Sequence, residues 1–192
     1  MPETPQQYIQ RILGHASGHE PLKVQASTAK KIKSLIAGHS AAALRQRPAP
    51  DKWSVAEIVT HMVDTDIVGG FRMRFILGAP GAAIQGFDQD AWAIAGHYGS
   101  RNAHESLEHF AALRTANLAM LKTLQPEQWQ HHGIHSERGH ETIQHIVTMY
   151  AGHDLNHLKQ IEAIVADTEN AKKNKPKKSR AGKSTKKKSK KR

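Results

Sequence analysis

Apolar positions recur along most of this chain at spacings of three and four, the period of an α-helix buried on one side. Thr4–Leu13 puts Tyr8, Ile9, Ile12 and Leu13 on one side of a short helix, with Pro5 at its start and Gly14 and Gly18 after it. A longer helix is predicted over about Pro21–Ile36, striped by Leu22, Ala26, Ala29, Ile32, Leu35 and Ile36, with Gly38 as its stop. Ser40–Leu44 forms a further turn before Pro48-Ala49-Pro50 forces an extended connection. The next helix has the clearest start. Ser54 and Glu57 stand at capping-box spacing, and Trp53 can staple onto Ile58. It runs to about Leu77 and ends at Gly78-Ala79-Pro80-Gly81. Ala82–Ser100 is poorly periodic but holds Phe87, Trp92 and Tyr98, which marks a loop packed over something. Two more helices follow, about Asn102–Leu124 and Glu141–Val165. Between them come a short turn at Pro126–Trp129 and a polar loop at Gln130–His140. No segment alternates strongly enough to claim a strand. The pattern predicts an all-α fold, a four-helix up-and-down bundle over residues 1–168.

Histidine changes this picture. In the last helix, Ile143, Ile146, Tyr150, His153, His157, Ile161 and Ile164 form one continuous stripe. His153 and His157 therefore sit one turn apart where a core helix carries Leu or Ile. His61 occupies an equivalent place on the capped helix, in line with Ile58, Met62, Thr65 and Val68. An inward imidazole needs a partner, because an unpaired buried polar group costs roughly 1–3 kcal/mol. Either each ring bonds a core carbonyl, or the three form a facial site for Zn²⁺, Ni²⁺ or Fe²⁺ with positions left open. Fourteen histidines make chance pairs common, and His15/His19 and His131/His135 share the same spacing without lying on a stripe. Asp64 and Asp154 are either acceptors that orient the rings or helix-surface acids. Arg72, Arg74, His97 and Tyr98 are further pocket candidates, with surface or core roles as the alternative. A di-iron carboxylate site is set aside, since the Glu-x-x-His spacing it needs occurs only at Glu137–His140, in a loop.

Composition narrows the classes further. The absence of cysteine excludes disulfides, thiolate zinc sites, iron–sulfur clusters and a cysteine nucleophile. The polar N-terminus and the lack of any apolar run near the ~18 residues of a membrane span predict a soluble, cytoplasmic protein. The formal net charge of +11 is unevenly placed. Ala171–Arg192 holds thirteen of the twenty-eight Lys and Arg, leaving fifteen against seventeen acidic residues elsewhere. The bundle is nearly neutral, and residues 169–192 read as a disordered lysine-rich tail. Such a tail would bind nucleic acid non-specifically, or act only as a solubilising extension.

Three motifs now fall into one order. Trp53-Ser54-Val55-Ala56-Glu57-Ile58-Val59-Thr60-His61-Met62 resembles the W-S-x-x-E-x-x-x-H signature of the DinB-like, damage-inducible superfamily. Phe87-Asp88-Gln89-Asp90-Ala91-Trp92 is similar to the motif found between that family's second and third helices. Thr142–Ile161, with His153-Asp154-Leu155-Asn156-His157, resembles its last-helix H-x-x-x-H segment. Together they span about residues 20–166. The resemblance implies a four-helix bundle that holds a divalent metal through His61, His153 and His157. It also implies a homodimer, and a metal-dependent hydrolase or thiol S-transferase that joins a low-molecular-weight thiol to a small electrophile. A bundle without enzymatic activity, carried to nucleic acid by its tail, is the alternative.

Overall fold

The structure, a computed structural model, describes residues 3–173. Seven helices carry the fold: α1 (Pro5–Ala16), α2 (Pro21–Leu35), α3 (Ala41–Leu44), α4 (Val55–Gly78), α5 (Gln89–Ala95), α6 (Ala103–Leu121) and α7 (Ile143–Lys173). The local signals act where the sequence places them. Ser54 Oγ accepts from the Glu57 N–H at 3.3 Å, and the Glu57 carboxylate accepts from the Ser54 N–H at 2.8 Å. Thr4 and Gln7 build a second capping box at the start of α1. The last helix runs past the expected end at Val165 to Lys173. The remainder of the lysine-rich segment, residues 174–192, lies outside the described residues, and so does its expected disorder.

The bundle consists of α2, α4, α6 and α7. Each of α2 and α4 packs on both α6 and α7, which leaves α2 opposite α4 and α6 opposite α7. Helix directions follow from the paired residues. Thr60 meets Ser106 and Asp66 meets Arg114, so α4 and α6 run parallel. Gln25 meets Val147 and Thr28 meets Asp154, so α2 and α7 also run parallel. His61 meets His153 while Gly69 lies against Tyr150, so α4 and α7 are antiparallel. The bundle is the expected one, but its helices do not alternate strictly. The order is up, down, down, up. The long connection from Ala79 to Asn102 makes this possible, because it returns the chain along the bundle before α6 begins.

That connection and the next are more ordered than their periodicity suggests. Asp88 caps α5, its Oδ1 accepting from the N–H groups of Asp90 and Ala91 at 2.9 and 3.0 Å. The expected polar loop at 130–140 is instead a hairpin of β2 (His132–His135) and β3 (Gly139–Thr142), and β1 (Ala83–Ile84) adds parallel to β2. The hairpin escapes sequence reading because its alternation is not hydrophobic. Its inward residues are His135 and Glu141, both buried, while Ile134 is exposed. Arg138 reaches across to Glu141 with two bonds of 2.5 and 3.0 Å, and Gly139 supplies the positive φ of the turn.

The core has two apolar ends. One gathers Ile32, Val59, Met62, Phe110 and Ile161; the other gathers Met73, Ile76, Leu121, Ile143 and Ile146. Between them lies a polar layer at the mid-height of the bundle. There Arg114 is clamped by two carboxylates. Its Nε and Nη2 each donate to Asp66 at 2.9 Å, and its Nη1 and Nη2 donate to Asp154 at 2.5 and 3.1 Å. Thr28 Oγ1 donates to Asp154 at 2.8 Å, so all four bundle helices meet at one network. Burial raises the Asp66 pKa to about 6 and the Asp154 charge adds to the rise, against the downward pull of Arg114.

Candidate metal centre

The three stripe histidines lie at the edge of this polar layer, one from α4 and two from α7. His153 Nε2 is 3.0 Å from His61 Nε2 and 3.0 Å from His157 Nε2. All three side chains are buried. Two donors each about 2.0–2.1 Å from one ion stand about 3.0–3.4 Å apart, so these spacings suit neighbouring positions around a single cation. Hydrogen bonding among the rings alone cannot satisfy them. The central Nε2 carries at most one proton and can donate to only one of its two neighbours. Among the described residues no fourth His, Asp or Glu joins the cluster, and His61 Nδ1 is buried with no partner.

Electrostatics keep the rings neutral. Burial, reinforced by the charge of His157, lowers the His61 pKa to about 3. Burial likewise lowers His153 well below its ordinary range, and it lowers His157 against the opposing bond from Gln160. At neutral pH all three lone pairs are therefore available to a cation. Gln160 Oε1 lies 2.8 Å from His157 Nδ1, which favours a proton there and leaves Nε2 bare. Trp53 covers His61, their ring centroids 5.1 Å apart. Gly152 lets α1 approach α7 beside His153; a Cβ there would sit 2.0 Å from the Ile12 carbonyl oxygen.

Two clefts open on the cluster. The larger, about 540 Å³, is bounded by Trp53, Ile58, Ile164, Arg11, His153 and His157. The smaller, about 300 Å³, holds His61 and His153 together with Thr65, Arg72 and Tyr150. Tyr8 and Gln89 belong to both and stand between them.

The other sequence candidates separate. Arg72 is buried in the wall of the smaller cleft. Arg74 turns away to the Gly70 carbonyl and to Asn117 Oδ1, at 2.9 and 2.7 Å. His97 is exposed, with a left-handed φ of 51° ahead of a short turn. Tyr98 is buried behind Trp53 and donates to Asp64. Neither the Asp64 nor the Asp154 carboxylate hydrogen-bonds a site histidine: the first is taken by Tyr98, the second by Arg114 and Thr28. Gln160 holds a ring in the way expected of them. Arg114 was legible by the same stripe reasoning that found the histidines, since it follows Leu107 and Phe110 and precedes Leu118 and Leu121. Tyr8 and Gln89, in contrast, carry no sequence signal that separates them from ordinary polar positions.

Fold and cluster together define a class: a four-helix bundle with three inward imidazoles converging from two antiparallel helices. The chain belongs to the DinB superfamily, whose family model matches residues 26–161. Among solved structures it is similar to YfiT from Bacillus subtilis, described as a probable metal-dependent hydrolase with an unusual four-helix bundle topology. The TM-score is 0.72 and the identity 18%, over 86% of this chain and 90% of that one. No curated protein matches the sequence. The three family motifs acquire physical roles here. Trp53 shields His61, Ser54 and Glu57 start its helix, His153 and His157 supply the other two imidazoles, and Phe87 packs at a tilt against Trp92, ring centroids 4.8 Å apart, beside the start of α5 that carries Gln89.

Proposed function

We propose that this chain is a divalent-metal-dependent enzyme, a hydrolase or a thiol S-transferase, acting on a small electrophile, with His61, His153 and His157 as the metal ligands. One observation carries the reading: three buried neutral imidazoles converge on a point that faces two clefts. A structural site would close itself with a fourth ligand, whereas three protein donors beside open space suit a cation that must also meet a substrate. Zn²⁺, Ni²⁺ and Fe²⁺ all accept imidazole. When bound, such a cation supplies Lewis acidity and lowers the pKa of a water or thiol. The protein's own part is to hold the donors and keep them unprotonated. Gln160 fixes the His157 tautomer, and Trp53 keeps water from one side of His61. The likeness to a probable metal-dependent hydrolase supports the hydrolytic branch, and the presence of two clefts supports the transfer branch. The bundle of residues 1–168 is the catalytic unit in this reading, and the lysine-rich segment stands apart from it.

Metal analysis of the purified full chain by mass spectrometry tests the ligand set. About one divalent ion per chain is expected, falling to a small fraction in His61→Ala, His153→Ala and His157→Ala. Metal-dependent cleavage of a p-nitrophenyl ester, set against metal-dependent conjugation of a small thiol to 1-chloro-2,4-dinitrobenzene, separates the two branches. Metal-free wild type with variants unchanged in metal content and stability would refute the proposal.

A further inference from the structure

The smaller cleft contains a buried guanidinium that no carboxylate meets in a salt bridge among the described residues. Arg72 lies eleven residues after His61 on α4, which is about three turns and therefore the same face. Its residue is 5% exposed, and its guanidinium donates to the Gln85 carbonyl and lies 5.9 Å from the Phe87 ring. Among the described residues no carboxylate comes within 4 Å of it. The comparison with its neighbours is direct. Buried Arg114 has two carboxylates, and half-buried Arg138 has Glu141. The nearby acids do not fill the role: Glu3 is bound by Arg11, Glu137 is exposed, and Glu141, which attracts Arg72 from a distance as Tyr150 does, is bound by Arg138. A buried cation without a carboxylate in contact is costly to maintain unless something else completes it.

We propose that Arg72 is the anion-binding end of a ligand subsite beside the three-histidine cluster, and that its ligand is a small molecule with a carboxylate at one end and a metal-binding donor at the other. The inference rests on the proposed metal site for the donor end only. The guanidinium fork suits a planar carboxylate. Eleven residues of helix rise is about 16 Å, and a side chain leaning back toward the helix N-terminus shortens the gap. The two ends of the ligand are then on the order of 10 Å apart. Tyr150 flanks this path. Its ring lies over Gly69, where a Cβ would be 2.4 Å from the ring, so the missing side chain keeps it in place.

The test uses the full chain loaded with Co²⁺, with 6-mercaptohexanoate and its primary amide as probes. Thiol binding is read from the visible cobalt spectrum, with no turnover involved. Wild type should bind the acid at least tenfold more tightly than the amide. Arg72→Gln should remove that preference and leave the amide affinity unchanged. Equal affinities in wild type, or a preference that survives in folded Arg72→Gln, would overturn the subsite while the metal reading stands. Calorimetric titration of metal-free wild type with hexanoate and hexanamide asks the same question without thiol, metal or variant. Binding of the acid alone supports the subsite even if no cobalt spectrum develops and the metal reading falls. Equal or absent binding of both overturns it.

Discussion

Replacing Arg114 with Met tests how the centre of the bundle is held together. Methionine keeps most of the side-chain volume, so the change removes the charge and the hydrogen bonds rather than the packing. Five charge-assisted contacts disappear, three to Asp66, one of them the second arm of a shared Nε–H, and two to Asp154. The carboxylates are not left alike. Asp154 keeps the Thr28 hydroxyl at 2.8 Å, whereas the Asp66 side chain retains no donor among the described residues. Both are buried, Asp66 at 3% and Asp154 at 1% exposed. Removing one partner from a buried ion pair typically costs about 3–5 kcal/mol, and the stranded Asp66 places Arg114→Met within that range at pH 7. In a protein of this size that is a fall in Tm of roughly 6–20 °C. The loss also has a pH signature. Without the guanidinium, the Asp66 pKa rises further above the unfolded value of about 3.9. Between that value and the raised one the folded state holds the Asp66 proton and the unfolded state does not, so the variant gains stability relative to wild type as pH falls. Urea unfolding followed by circular dichroism at pH 7 and pH 5 should show the gap between wild type and variant narrowing at the lower pH. A gap under about 1 kcal/mol at pH 7, or one that widens at pH 5, would refute the reasoning.

Metal-free wild type should itself lose stability as pH falls from 6.5 toward 3. His61 titrates near 3 in the folded chain, so only the unfolded chain takes up the proton in that window. Each such proton is worth about 1.4 kcal/mol per pH unit. His153 and His157 shift the same way, and Asp66 offsets about one of the three, so urea midpoints that stay level from pH 7 to pH 5 would contradict the burial argument. Gly152→Ala drives a methyl into the Ile12 backbone and should cost about 1–3 kcal/mol by displacing α1. Limited proteolysis should then cut residues 5–18 faster than in wild type, and equal rates would show that α1 does not depend on this close approach.

Much of the molecule was legible from the chain alone because helical stripes and caps are local. Ser54 and Glu57 start α4 where their spacing requires, and Ile143 to Ile161 bury the face that their period defines. Since the stripe fixes which side of a helix turns inward, it also singled out His61, His153 and His157 among fourteen histidines. Arg114 lay within reach of the same argument.

What periodicity cannot carry is the relation between elements. It gives each helix a buried face but no direction relative to its neighbours, so the parallel pairing of α4 with α6 and of α2 with α7 emerges only from contacts. The hairpin at His132–Thr142 buries His135 and Glu141, and a polar inward face leaves no hydrophobic alternation to detect. The acids beside the histidines looked like natural supports for the rings, yet Asp154 faces Arg114 and Asp64 faces Tyr98. Which lone pairs converge, and which buried charge is left without a salt bridge, depends on residues far apart in the chain meeting in space. The inward turn of the three histidines was set by the sequence. Their convergence, with His153 Nε2 3.0 Å from each of the other two rings, and the buried Arg72 beside them without a salt bridge, were decided by tertiary packing.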